Sequence, residues 1–184
     1  MRRQQQASSR KRSRAPLDPT TIRALALHYV GRYATTTGRL KTYLERKLRE
    51  RGWTETAPPP DVDSLVENFA SLGFVDNQSF ATSRASSLLR RGYGPGRVNM
   101  ALRQAGLPAD AADSTACMED ESIWQAAMTF ARRKRLGPFG APLEDQKARA
   151  RAMAAFIRAG HGAEIARKIL ATDKDDADLD DNYG

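Results

Sequence analysis

Residues 67–81 read ENFASLGFVDNQSFA, and the fold turns on what the break at Gly73 means. Phe69 stands five residues before Phe74, with Gly73 just ahead of the second aromatic. That spacing describes a helix end at which glycine takes the left-handed conformation one residue past the helix. Phe69 and Phe74 then close over the end as an apolar pair. Asp76 is placed to cap the next helix, and Val75 and Phe80 are spaced as the hydrophobic staple of its first turn. The break is a joint between two helices, and neither Asp76 nor Asn77 needs a catalytic role.

The same grammar recurs in LRERGW (48–53), LLRRGY (88–93), LRQAGL (102–107) and FIRAGH (156–161). One such match is common in any helical protein. Five in one chain, each closing an amphipathic run, predict helices that turn sharply back on their neighbours.

Helical periodicity fills the intervals. LDPTTIRALALHYVGRY (17–33) places Asp18 as N-cap and Pro19 at the first helical position, where its missing N–H costs nothing. Leu17 and Ile22 are spaced to staple that start, and Ile22, Leu25, Ala26, Tyr29, Val30 and Tyr33 follow a 3.6-residue period. Leu40, Tyr43, Leu44 and Leu48 mark a second helix. After APPPDVD (57–63), a third carries Val62, Leu65, Val66, Phe69 and Leu72. Further helices are expected near 76–91, 95–105, 119–136, 143–159 and 162–171, with a short turn near 108–118. Their apolar stripes include Ala81 and Leu88, Val98 and Leu102, Phe130 and Ala131, Met153, Phe156 and Ile157, and Ile165 and Ile169. No segment alternates over enough length to make a strand, so the fold class is all-α. A shift of 54 lays LRERGW on LRQAGL, and a shift of 68 lays LLRRGYG on FIRAGHG. Unequal shifts point to degenerate three-helix repeats at 16–73 and 74–137, with a truncated one at 138–172, forming an elongated body.

Charge is distributed unevenly. The chain carries +8 over 184 residues. Residues 1–14 hold six basic and no acidic side chains, whereas 173–184 hold six aspartates and one lysine. Removing both tails from +8 leaves residues 15–172 at +7, so the body itself is basic. Such a balance favours polyanions or acidic protein surfaces. The tails, 1–15 and 173–184, have compositions that bury too little surface to order themselves. A single cysteine, Cys117, excludes an internal disulfide and fits a reducing compartment. Neither a membrane span nor a secretory signal is expected.

Sites of chemistry are hard to find. His28 and His161 lack Cys or Asp partners at ligand spacing, so no metal is expected. Cys117 in STACMED has no nearby base to lower its pKa. RGYGPGRV (91–98) looks like a phosphate loop, yet no strand precedes it and the Walker Lys-Ser/Thr is absent. Gly92 closing one helix, Gly94 as N-cap and Pro95 at the first position of the next explain it better. No pair of carboxylates shares an apolar pocket, so no catalytic residue and no cofactor is expected. What repeats is base on the faces opposite the core: Arg90, Arg91, Arg97 and Arg103, then Arg132, Arg133, Lys134 and Arg135. These are the candidate partner-binding residues; Gly73, Asp76 and Phe80 are the structural turn. With few aromatics for base stacking, contact with a phosphate backbone or an acidic protein is expected over sequence-specific reading.

GFVDNQSFATSRASSLLRRGYGPGRVNMALRQAGL (73–107) resembles the central block of the RecX regulatory proteins, through Phe74, Val75, Asp76, Phe80, Ala81, Gly92, Gly94, Val98, Leu102, Gly106 and Leu107. TTGRLKTYLERKL (36–48) and FIRAGHGAEIARKIL (156–170) resemble the flanking family blocks. Asn77, Arg39 and the AGH of 159–161 depart from the usual pattern. The resemblance implies a cytoplasmic bacterial protein, expected to be monomeric, of tandem three-helix repeats. It implies binding to RecA and to the RecA–single-stranded DNA filament, with inhibition of recombination, ATP hydrolysis and coprotease activity. Direct DNA contact is a further expectation, and a RecA-independent helical nucleic-acid-binding protein is the alternative.

Overall fold

Five of the described helices begin on an oxygen that accepts the third N–H of its own helix. A computed structural model of the chain describes residues 15–107 and 118–172. Residues 1–14 of the first tail, the whole of the second, Cys117 and nearly all of the turn expected near 108–118 lie outside the described residues. Among the described residues there are eight α-helices and no strand. They are α1 (Pro19–Arg32), α2 (Thr37–Arg51), α3 (Val62–Ser71), α4 (Asn77–Arg90), α5 (Pro95–Gln104), α6 (Asp120–Lys134), α7 (Gln146–Ala159) and α8 (Ala163–Ala171). The caps are Asp18, Thr36, Asp61, Asp76 and Asp145; Asp76, for example, accepts from the Ser79 N–H at 2.9 Å. Hydrogen bonds from those N–H groups hold the Asp18 and Asp61 carboxyls below the usual aspartate range, and the Ser79 hydroxyl, with its N–H, does the same for Asp76. Among the described residues no helix is long and apolar enough to cross a membrane.

The chain divides into two compact units at Val75–Asp76. In the first, α1, α2 and α3 bury Ile22, Ala26, Leu40, Leu44, Val66, Phe69 and Val75 against one another. Val75 belongs to this core, whereas Phe80 packs on a core of the second unit, so the two residues expected to form a staple serve different cores. Three residues expected on buried stripes are outside: Tyr33 is 50% exposed, Leu72 60% and Ile157 48%. Tyr33 and Leu72 lie just past the ends of α1 and α3, whereas Ile157 stands off the buried face of α7 formed by Ala152, Phe156 and Ala159.

Four of the five glycine stops are made as their sequence implies. At the first, the Phe74 N–H reaches Phe69 O at 3.0 Å and the Gly73 N–H reaches Ala70 O at 2.9 Å. Equivalent bonds close the helices before Tyr93, Leu107 and His161. LRERGW ends differently. The Gly52 N–H returns to Leu48 O, and the chain then runs extended to bridge Leu17, with Leu17 N–H to Gly52 O at 2.9 Å. A further stop of the same kind has no glycine: Leu136 N–H reaches Ala131 O at 3.0 Å, with Arg135 in the left-handed region at φ 53°.

In the second unit the backbone turn after α4 is clasped to the turn after α7. The Gly94 N–H donates to Ala159 O and the Gly96 N–H to Gly160 O, both at 2.9 Å. A Cβ on Gly94 would stand 2.4 Å from the Gly160 carbonyl, and Gly160 itself sits at φ +92° against the backbone of Arg97. Only glycine permits this approach. His161 completes the clasp from between the rings of Phe130 and Phe156, 5.5 and 5.6 Å away. Its Nε2 lies 3.2 Å from Gly92 O. A carbonyl only accepts, so Nε2 carries the proton. Around the clasp, α4 and α5 bury Leu88, Val98 and Leu102. A separate cluster joins α6 to α7 and α8 through Phe130, Ala131, Phe156, Ala166 and Ile169.

Gly94→Ala is expected to lower the urea-unfolding free energy by roughly 3 kcal/mol through overpacking. Gly31→Ala, with nothing near its Cβ, should instead raise it by about 0.5–1 kcal/mol through helix propensity. Burial holds the His161 pKa below its ordinary 6.5. The unfolded chain therefore binds that proton first, and stability should fall as pH drops below about 6.5. His161→Phe should flatten that part of the pH–stability curve.

Candidate functional site

The C-terminal end of α6 and the turn after α4 put their bases together. Arginines at a helix C-terminus are favoured by the helix dipole, which accounts for ARRKR at 131–135 locally. The Arg133 Nη1 donates to the Arg91 carbonyl at 2.8 Å, pinning α6 to the turn after α4. The guanidinium groups of Arg91 and Arg133 lie 5.9 and 5.8 Å from the Tyr93 ring, and that of Arg133 is 5.7 Å from Phe130. At these separations cation–π attraction helps to fix both side chains beside the ring.

Beside this cluster runs a groove of about 580 Å³. Its floor is Tyr93, Phe130 and the alanines of α7 at 148, 152, 155 and 159; Arg133, Lys134, Arg151 and Arg158 line it, with no carboxylate. A second groove, about 1410 Å³, carries Arg135, Arg149 and Arg167 and again no carboxylate. Arg132 turns away to lie 4.9 Å from the Phe139 ring. The bases expected as one cluster at 132–135 are thus shared between two faces. Arg91, Arg133 and Lys134 are brought together. Arg90, Arg97 and Arg103 are exposed but line neither groove, and Arg97 directs an N–H toward Met100 Sδ at 3.6 Å.

Sequence reasoning missed Arg149, Arg151, Arg158 and Arg167. The available signal was alanine at 148, 152, 155 and 159, a helical stripe of small residues flanked by arginines. Attention to the large apolar residues of that helix hid it. The phosphate-loop look-alike also has a positive explanation now. The N–H groups of Gly94 and Gly96, which such a loop would offer to an anion, are already given to Ala159 and Gly160. Among the described residues no three His, Cys, Asp or Glu side chains gather as a metal site would require. What the arrangement can do is hold anionic groups over a shallow apolar floor.

Against known proteins, residues 76–115 match the family model described as RecX, second three-helix domain. The chain is 32% identical over 176 residues to a Regulatory protein RecX of Myxococcus xanthus, covering 88% of this chain and 92% of that one. The chain belongs to the RecX family. A Regulatory protein RecX of Agrobacterium fabrum is 28% identical over 157 residues, covering 83% of each. The crystal structure of RecX from Lactobacillus salivarius superposes with a TM-score of 0.63 at 16% identity, covering 87% of this chain and 96% of that chain. That last likeness concerns fold alone, and it agrees with an all-α repeat architecture.

The grooves make an electrostatic expectation. Against a duplex DNA probe between 50 and 200 mM salt, Arg151→Ala with Arg158→Ala should flatten the log affinity–log salt slope by about 1.8, or 0.9 per cation. An unchanged slope would remove the smaller groove from the binding surface.

Proposed function

We propose that this chain is a regulator of RecA. It binds RecA and the RecA–single-stranded DNA filament and mainly inhibits recombinase, ATPase and coprotease activity. The observation that carries the reading is similarity along almost the whole chain to proteins named Regulatory protein RecX. The basic grooves free of carboxylates support it, because they suit an acidic protein surface or the phosphates of a filament. The action is binding rather than catalysis, by a cytoplasmic monomer without a cofactor.

Repeat boundaries belong to the same proposal. The first repeat covers 16–73. The core shared by α6, α7 and α8 favours counting α6 with the last repeat rather than with 74–137. A RecA-independent nucleic-acid-binding protein is the second reading, favoured by the same cation-lined grooves.

At a concentration well below that of RecA, the purified chain is expected to lower single-stranded DNA-dependent ATP hydrolysis severalfold and to shorten filaments. Charge reversal at Arg91, Arg133 and Lys134 should relieve that inhibition with helicity intact. Unchanged hydrolysis and filament length with the native chain would contradict the proposal. Sequence-selective duplex binding without RecA would favour the second reading.

A further inference from the structure

Three of the chain's five tyrosines meet in one cleft of the first unit. Tyr29 and Tyr43 stack across α1 and α2 with centroids 4.2 Å apart and planes 13° from parallel. Tyr33 leans on Tyr29 at 5.4 Å and is 50% exposed. The cleft between them, about 450 Å³, is also lined by Arg32, Arg46, Lys47 and Arg51 and by no carboxylate. Arg32 lies 5.7 Å from the Tyr33 ring, and Arg46 and Lys47 lie 5.7 and 5.8 Å from Tyr43. Glu50 offsets part of that charge, at 2.6 Å from Lys47 and 4.0 Å from Arg46.

Core packing accounts for part of this arrangement, since Tyr29 and Tyr43 pack against the core of α1, α2 and α3. It does not account for Tyr33, because an aromatic needed only for burial would not stand half in solvent. A row of tilted and stacked rings flanked by cations presents a flat π-face beside positive charge.

We infer that this cleft is a binding site for single-stranded nucleic acid, with a base on Tyr33 and backbone phosphates at Arg32, Arg46 and Arg51. Aromatic faces accept any base, so the site carries no sequence preference. A duplex hides its base faces and offers only edges. An acidic peptide would satisfy the cations and leave Tyr33 without a planar partner. The site lies outside residues 76–115, the part matched by the family model, and it stands apart from the RecA reading because it needs no RecA.

The test uses the full chain without RecA and a fluorescent dT oligonucleotide of about twelve residues, titrated by anisotropy at several salt concentrations. Tyr33→Ala should weaken binding about tenfold with its salt slope unchanged, because stacking releases no counterions. Tyr33→Phe, which keeps the ring, should bind as the native chain does. Arg32→Ala with Arg46→Ala should flatten the slope by about 1.4, or 0.7 per cation. A parallel series with an rU oligonucleotide distinguishes DNA from RNA as the strand, and loss of either in Tyr33→Ala supports the site. Native-like affinity in Tyr33→Ala overturns it. So does an equal loss of binding to a polyglutamate peptide, which would assign the cleft to an acidic protein segment.

Discussion

The second unit depends on two backbone segments touching. Gly94 and Gly96 give their N–H groups to Ala159 and Gly160, at a separation that tolerates no side chain on Gly94 or Gly160. Helices α4 and α5 have one core cluster, and α6, α7 and α8 have another. The clasp ties the turn of the first pair to the turn of the second set, and His161 fills the space behind it. A buried imidazole with one bonded nitrogen is an expensive filler, because Nδ1 finds no hydrogen-bond partner among the described residues. It keeps its place by donating to Gly92 O and lying between two phenylalanine rings.

From that constraint the charged surface follows. With the turn after α4 held against the turn after α7, the end of α6 comes alongside, and Arg133 bonds the Arg91 carbonyl. Arg151 and Arg158 of α7 then share a groove with Arg133 and Lys134. Residues 91–98 look like an anion loop because glycine is needed there. The need comes from another stretch of the same chain and not from a phosphate. Membership of the RecX family places the chain among regulatory proteins, and the proposed recognition of an anionic partner draws on this basic, groove-bearing surface.

Much of this was legible in the residues. The all-α class, the helix starts at Asp18 and Asp76 and the stops at Gly73, Gly92, Gly106 and Gly160 are local events, written within six residues by cap chemistry and spacing. Where partners are distant in sequence, legibility failed. Gly52 takes a positive φ of 74°, yet the usual closing bond is not made because Leu17, more than thirty positions away, pairs with the segment after it. Arg135 makes a left-handed stop without glycine because the Ala131–Leu136 bond holds it there. Tyr33, Leu72 and Ile157 follow the helical period but stand about half exposed or more, because burial there is set by which face meets a neighbour and not by the period. The candidate arginines were visible as charge; which of them share a groove was not, since that is fixed by tertiary contacts of α6 with α4 and α7. The tyrosine cleft escaped notice for the same reason, being assembled from two helices whose rings read separately as core.

Amide hydrogen exchange at Gly94 and Gly96 tests the central claim most directly, because it asks whether those N–H groups are bound within the protein. The clasp predicts protection comparable to that of the buried amides of α5 and α6, unaffected by added phosphate. Exchange at the rate of an open loop, slowed only when phosphate is present, would contradict it and restore the anion-loop reading.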